Sequence, residues 1–165
     1  MYAIMGKKYK RRVHKKTNYN KRLGLLKSGK PRLVARLSNM FINLQYVLHS
    51  DNNEISKINL ISKTIKKYGW EGSCKSIPAC YLTGYLFGKT VAKEKLSKDL
   101  IFDIGLHKSQ NGGRLFGALK GAVDAGLTLN VNEEIYPSQE RIEGKDNKKD
   151  ALFKKVKSAI DSGFK

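Results

Sequence analysis

Two arginines stand four residues apart in the run "KPRLVARLSN", Lys30 to Asn39. Read as a strand, this segment sends Leu33, Ala35 and Leu37 to one face and Arg32, Val34 and Arg36 to the other. A guanidinium carries a planar fork of N–H donors that fits phosphate or carboxylate oxygens. Two of them on one strand face form an anion-binding pair on a stiff support. Nearby anions are scarce: 13 Lys and Arg precede the first acidic residue, Asp51. The formal net charge is +19 over 165 residues, and +13 of it lies in the first 36. Charge this one-signed opposes compaction, and a polyanion is its usual compensation: nucleic acid or an anionic membrane surface.

Other chemistries lack their parts. The chain has no GxGxxG and no GxxxxGK[ST] to cradle a phosphate, and no GxSxG elbow. His14, His49 and His107 are isolated, without an HExxH pattern. Five residues separate Cys74 from Cys80, which is not a zinc-ligand spacing, so structural thiols in a reducing compartment are expected. The sharpest enzymatic alternative is a metal-dependent RNA-processing enzyme of ribonuclease-H-like architecture, using carboxylates on neighbouring strands to hold two divalent metals. Asp99, Asp103 and Asp124 are its candidate ligands. The first strand carries arginines where such a site needs an acid, so Asp103 is expected to orient a loop or cap a helix instead. No catalytic residue, metal or cofactor is expected.

The elements around these residues follow from periodicity. Residues 1–29 read as a basic arm that includes a short helix. In "TNYNKRLGLLKSG", Thr17 or Asn18 caps that helix, Tyr19, Leu23 and Leu26 share a face, and Gly29 with Pro31 ends it. After the arginine strand, "SN" at 38–39 is a turn. "MFINLQYVLH" is a second alternating strand, with Ile42, Leu44, Tyr46 and Leu48 on one face. "SDNNE" is a turn cluster and "KINLISK" a third strand, completing an antiparallel meander. A glycine loop with Tyr68 and Trp70 follows. Ser76 and Pro78 then open a helix that runs to about Lys95. "DLIFDIGL" is a strand, "RLFGALKGAVDAG" a second helix ended by Gly126, and "LTLNV" a last short strand.

This order makes an α/β (α+β) fold: an antiparallel meander joined to helix–strand–helix in one mixed sheet. Helices are expected on one sheet face, leaving Arg32, Arg36, Asn43 and Gln45 on an open one. Gly84 and Gly88, and Gly113, Gly117 and Gly121, recur every four residues and are expected to bring helix and sheet close. The mixed-sheet domain, residues 30–144, is expected to bind RNA or DNA, with Tyr9, Tyr19, Tyr68 and Trp70 offering rings to unpaired bases. Residues 145–165 form a basic C-terminal helix. Its Leu152, Phe153, Val156 and Ile160 suit docking on the domain or a neighbour, or alternatively a membrane surface. No 18-residue apolar run crosses a membrane, and the charged start lacks the apolar core of a secretory peptide.

Five ordered blocks carry a resemblance: "KTNYNKRLGLLKSGKPRLVARLSN", "KKYGWEG", "IPACYLTGYLFGK", "DIGLHKSQNGGRLFGALKGAVDAGL" and "EEIYPSQERIEG". From about Lys7 to Gly144 the chain resembles the large-subunit ribosomal protein L-eighteen family in its archaeal form. The resemblance implies a mixed sheet with helices and a structural, non-enzymatic role. It also implies binding to 5S rRNA, attachment of that RNA to the large rRNA in the central protuberance, contact with neighbouring large-subunit proteins, and a place in the cytoplasmic ribosome. The RNA surface it implies starts in the arm, at Lys7, Lys8, Tyr9, Lys10, Arg11, Arg12, Lys15 and Lys16, and continues through Asn18, Tyr19, Lys21 and Arg22. It extends to Lys30, Arg32, Arg36 and Asn39. Tyr68 and Trp70 of the "YGW" loop, and His107, Lys108 and Arg114 of the "HKSQNGGR" segment, are further contacts. After Ile142 the likeness stops: the archaeal members continue into a longer acidic and aromatic tail, whereas this chain ends in a short basic one.

Overall fold

In the computed structural model, which describes residues 10–14, 16–50, 53–145 and 149–164, the alternating runs pair into one five-stranded sheet. β1 (Arg32–Leu37) is its middle strand. β2 (Ile42–Ser50) pairs antiparallel with β1, and β3 (Asn53–Ile61) antiparallel with β2. On the other side of β1, β4 (Asp99–Asp103) is parallel to it, and β5 (Thr128–Leu129) is parallel to β4. The order β3-β2-β1-β4-β5 joins the expected meander to a parallel half in one mixed sheet. β3 starts earlier than the sequence suggests, taking Asn53 and Glu54 from the expected turn cluster.

Two short helices precede the sheet: α1 (Lys10–Val13) and α2 (Tyr19–Lys27). Asn18 supplies the α2 cap, its Oδ1 accepting from the Lys21 amide at 3.1 Å. Leu33, Ala35, Ile42 and Leu44 are fully buried on one sheet face, as their alternation predicts. α3 (Ile77–Lys93) and α4 (Arg114–Asp124) cover that face, adding Cys80, Phe87, Phe116 and Leu119 to the core. Ser76 precedes α3 without capping it through its side chain; its hydroxyl donates to the Ser73 carbonyl at 2.8 Å instead.

α3 is apolar on nearly every side because it is packed from two directions. A second cluster covers its outer side. This cluster is built from a 3-10 helix over Ser62–Tyr68, α5 (Gln139–Glu143) and α6 (Asp150–Ser162). Trp70, 2% exposed, lies inside it with Ile65, Leu82 and Ile142. The glycine repeat serves contact between helices rather than the expected helix–sheet contact. A Cβ on Gly84 would overlap the Ala118 carbonyl, and one on Gly121 the Tyr81 carbonyl.

α6 lays Phe153, Val156 and Ile160 into the second cluster, so its apolar face is used within the chain and the membrane-surface alternative falls. No helix among the described residues is long and apolar enough to cross a membrane. Polar contacts fix how α6 sits on α3. The Tyr85 hydroxyl donates to Asp161 Oδ1 at 2.8 Å, and Lys89 Nζ pairs with the same oxygen at 3.0 Å. Lys157 Nζ stands over the Tyr81 and Tyr85 rings, 5.6 and 5.0 Å from their centroids. Burial pushes the Tyr81 hydroxyl well above the usual phenol range, and its hydrogen bond to Asp124 at 2.7 Å adds to this. Burial pushes the Asp161 carboxyl up, but the Tyr85 and Lys89 hydrogen bonds and the Lys89 and Lys157 charges outweigh it and hold the group below its ordinary value.

Gly84→Ala or Gly121→Ala should cost about 3 kcal/mol, the upper end of overpacking, because backbone faces backbone and cannot yield. Urea unfolding measures this. A depressed Asp161 stabilises the docked α6 above the unfolded carboxyl value of about 3.9 and loses that contribution as pH falls through its folded value. Near-ultraviolet dichroism of the tyrosines should therefore change below about pH 4, and Asp161→Asn should abolish that step.

Candidate nucleic-acid interface

The sheet face turned away from α3 and α4 carries Arg32, Val34 and Arg36 from β1 and Gln45 and Val47 from β2. α2 and the residues before it overhang this face and leave a trough of about 490 Å³. Its lining includes six cationic side chains, Arg11, Lys16, Lys21, Arg22, Arg32 and Arg36, and two carboxylates, Glu54 and Asp103. Gly105, Leu106 and His107 close one end.

Register explains the convergence. Asp103 pairs with Val34, so its carboxylate lies on the arginine face between Arg32 and Arg36. Arg32 Nη1 donates to Asp103 Oδ2 at 3.1 Å, and Arg36 Nη2 to Oδ1 at 3.4 Å. Oδ1 also accepts the Gly105 amide at 2.8 Å, which is the loop-orienting role expected for Asp103. Glu54 reaches this face through an irregularity. Tyr46 pairs with Ile58, but Val47 pairs with Ser56, so β3 carries one extra residue. Without that bulge Glu54 would fall opposite Ser50 and face the core side; with it, Glu54 falls opposite His49 and faces the trough.

The two arginines therefore differ. Arg32 is 4% exposed, and its Nη2 also donates to Glu54 Oε1 at 2.6 Å. The expectation that Arg32 faces phosphate is overturned: acids from β3 and β4 fold back and hold it inside. Arg36 keeps 42% of its side chain exposed. Its Nη1 donates to the Ala35 and Asp103 carbonyls at 2.8 and 2.7 Å, so the guanidinium is fixed while one edge stays open. Gly105, at φ +63, permits this: a Cβ there would come within 2.9 Å of Arg36 Cζ.

Of the other sequence candidates, Arg11, Lys16, Asn18, Lys21, Arg22 and His107 line the same trough. Lys10, Arg11, Lys16, Asn18 and Lys21 are exposed on the arm, and Tyr19 and Arg22 are half-buried. Arg11 Nε donates to Thr17 Oγ1 at 3.0 Å. Lys7, Lys8, Tyr9 and Lys15 lie outside the described residues, as does the side chain of Arg12. Lys30 is exposed and pairs with Asp99 at 2.6 Å, and Asn39 is exposed in the β1–β2 turn. His107 is half-buried, its Nε2 accepting the Leu37 amide at 3.3 Å, so it closes the end of β1; Lys108 beside it is exposed.

Three candidates lie with the helices on the other side of the sheet. Trp70 is buried in the second cluster and has no free ring face, which corrects the expectation that it stacks on bases. Tyr68 packs on that cluster as well. Arg114 opens α4 on the helix-covered side, near enough to Cys80 to oppose the burial that still pushes that thiol up to about 12. Sequence reasoning missed Glu54 and Asp103 as arginine partners, since only the strand pairing places them there.

The family described as "Ribosomal large subunit proteins 60S L5, and 50S L18" matches residues 5–101 and 89–132. The chain belongs to this ribosomal family. The "Large ribosomal subunit protein uL18" of Methanococcus maripaludis is 40% identical over 136 residues, covering 82% of this chain and 70% of the relative. The proteins of that name from Caldivirga maquilingensis and Aeropyrum pernix are each 42% identical, over 138 and 134 residues. These alignments cover 83% and 81% of this chain, and 66% and 62% of the relatives. The chain thus spans about two thirds of the length of these relatives. α5 and α6 lie beyond the span that the family matches.

The family is ribosomal rather than enzymatic, and the carboxylates of the nuclease alternative are engaged apart from one another. Asp103 holds two arginines, Asp99 pairs with Lys30, and Asp124 accepts from Tyr81 and pairs with Lys120.

Arg32→Ala should destabilise the protein by about 3–5 kcal/mol, because it leaves the Asp103 charge buried with too little compensation. Arg36→Ala, at a half-open site, should cost about 1 kcal/mol. Chemical denaturation of both variants tests the contrast.

Proposed function

We propose that this protein binds 5S rRNA and helps attach it to the large rRNA in the central protuberance of the cytoplasmic large ribosomal subunit, beside neighbouring ribosomal proteins. The observation that carries the reading is the trough between α2 and the sheet face that α3 and α4 do not cover, where five cations stand around the buried Arg32. Two carboxylates offset part of that charge, so the site remains strongly attractive to phosphate. Family membership supports rRNA as the polyanion. Arg36, fixed by carbonyls and open at one edge, is the phosphate ligand on the sheet; Lys16, Lys21 and Arg22 face it from the arm. Lys7, Lys8, Arg12 and Lys15 extend the same charge along the chain, and Lys30, Asn39 and Lys108 are further exposed candidates.

Binding to 5S rRNA and to an unrelated structured RNA should be measured over a salt series. With roughly 6–10 phosphate contacts, affinity should fall about 10³–10⁵ between about 50 and 200 mM salt. 5S rRNA should bind more tightly throughout, and equal affinity for the two RNAs would sink the specific reading. Arg36→Ala should weaken 5S rRNA binding about tenfold while leaving the protein folded.

A further inference from the structure

Carboxylates in a phosphate trough raise a physical question, because each repels the ligand. Asp103 is explained by the fold: it neutralises Arg32, which is nearly inaccessible. Glu54 is not. Its side chain is 31% exposed, and Arg32 already has Asp103 as a partner. What Glu54 adds is a link between two elements. Its Oε1 accepts from Arg32 Nη2 on β1 at 2.6 Å and forms an ion pair with Arg22 Nη2 on α2 at 2.7 Å.

α2 needs such a link. The helix has no buried residue, and Leu23 is 55% exposed. A further long-range hydrogen bond runs from Lys21 Nζ to the Gly105 carbonyl at 3.4 Å. A helix of nine residues with no buried residue does not keep a fixed position through apolar packing alone. The bulge in β3 that turns Glu54 toward the trough is what makes the link available.

We infer that Glu54 is a positioning residue for RNA recognition, pinning α2 across the trough so that Lys21 and Arg22 stand at a fixed spacing from Arg36. The inference rests on the RNA-binding reading above. Glu54 lowers the attraction for phosphate in general and in exchange fixes the cation spacing for one RNA shape. Its removal separates the two effects by sign: charge alone predicts tighter binding, whereas positioning predicts weaker binding to the cognate RNA.

Glu54→Gln removes the charge, keeps the shape and leaves Arg32 paired with Asp103, so the variant folds. Its affinity for 5S rRNA should fall about tenfold, while an unrelated structured RNA binds equally well or more tightly. Hydrogen exchange of the α2 amides should rise with β1 still protected. In an Arg22→Gln background, Glu54→Gln should no longer weaken 5S rRNA binding. Tighter binding of both RNAs, or equal weakening of both, overturns the inference. Wild-type protein that does not distinguish the two RNAs removes the RNA-specific reading itself, and the inference with it.

Discussion

A guanidinium that is 4% exposed is costly to bury without anions beside it, and the architecture around β1 brings them to Arg32. β4 must lie parallel to β1 with Asp103 next to Val34. β3 must carry its bulge so that Glu54 reaches across β2. The same carboxylates then hold Arg36 and Arg22, which are more exposed than Arg32. One buried charge thus organises the partly open ones: Arg32 is the anchor, and the cationic trough is assembled around it.

The opposite face obeys a different constraint, the close approach of α3 and α4. Glycines at 84 and 121 let backbone meet backbone, which sets how closely the two helices lie side by side. With α4 and the sheet on one side, α3 must find apolar cover on the other. The 3-10 helix, α5 and α6 supply it. α6 lies beyond the span shared with the family, yet it is tied to α3 by Asp161, Lys157 and two tyrosines. The basic character of this terminus and its apolar stripe thus serve different purposes: the stripe completes the fold, and Lys154 and Lys155 remain exposed.

These two constraints divide the molecule by function. The helix-covered side is dry and closely packed, and takes Trp70, Cys80 and the ring of Phe87 out of reach. The arginine side keeps charge near solvent, where counter-ions or phosphate can reach it. α2 spans that side with polar contacts, in keeping with an element that meets a charged ligand rather than one that seals a core.

The sequence by itself determined the strands, the class of fold and the sign of the partner. Alternation in "RLVARL" and "INLQYVL" dictates which side chains face the core, because a strand has period two whatever its neighbours are. The run of 13 cations before Asp51 dictates a polyanionic partner, because Coulomb attraction acts without detailed geometry. The cap at Asn18 was legible because it is local. Which arginine is buried and which is open was decided only by tertiary structure. Arg32 and Arg36 look alike in sequence, and their difference comes from acids 22 and 71 residues away from Arg32, brought in by strand order and one bulge. Trp70 was misplaced for the same reason: its loop reads as exposed until α6, more than 80 residues later, packs beside it. Local physics sets element type and net charge, whereas burial depends on which distant segment arrives, and that is a property of the whole chain.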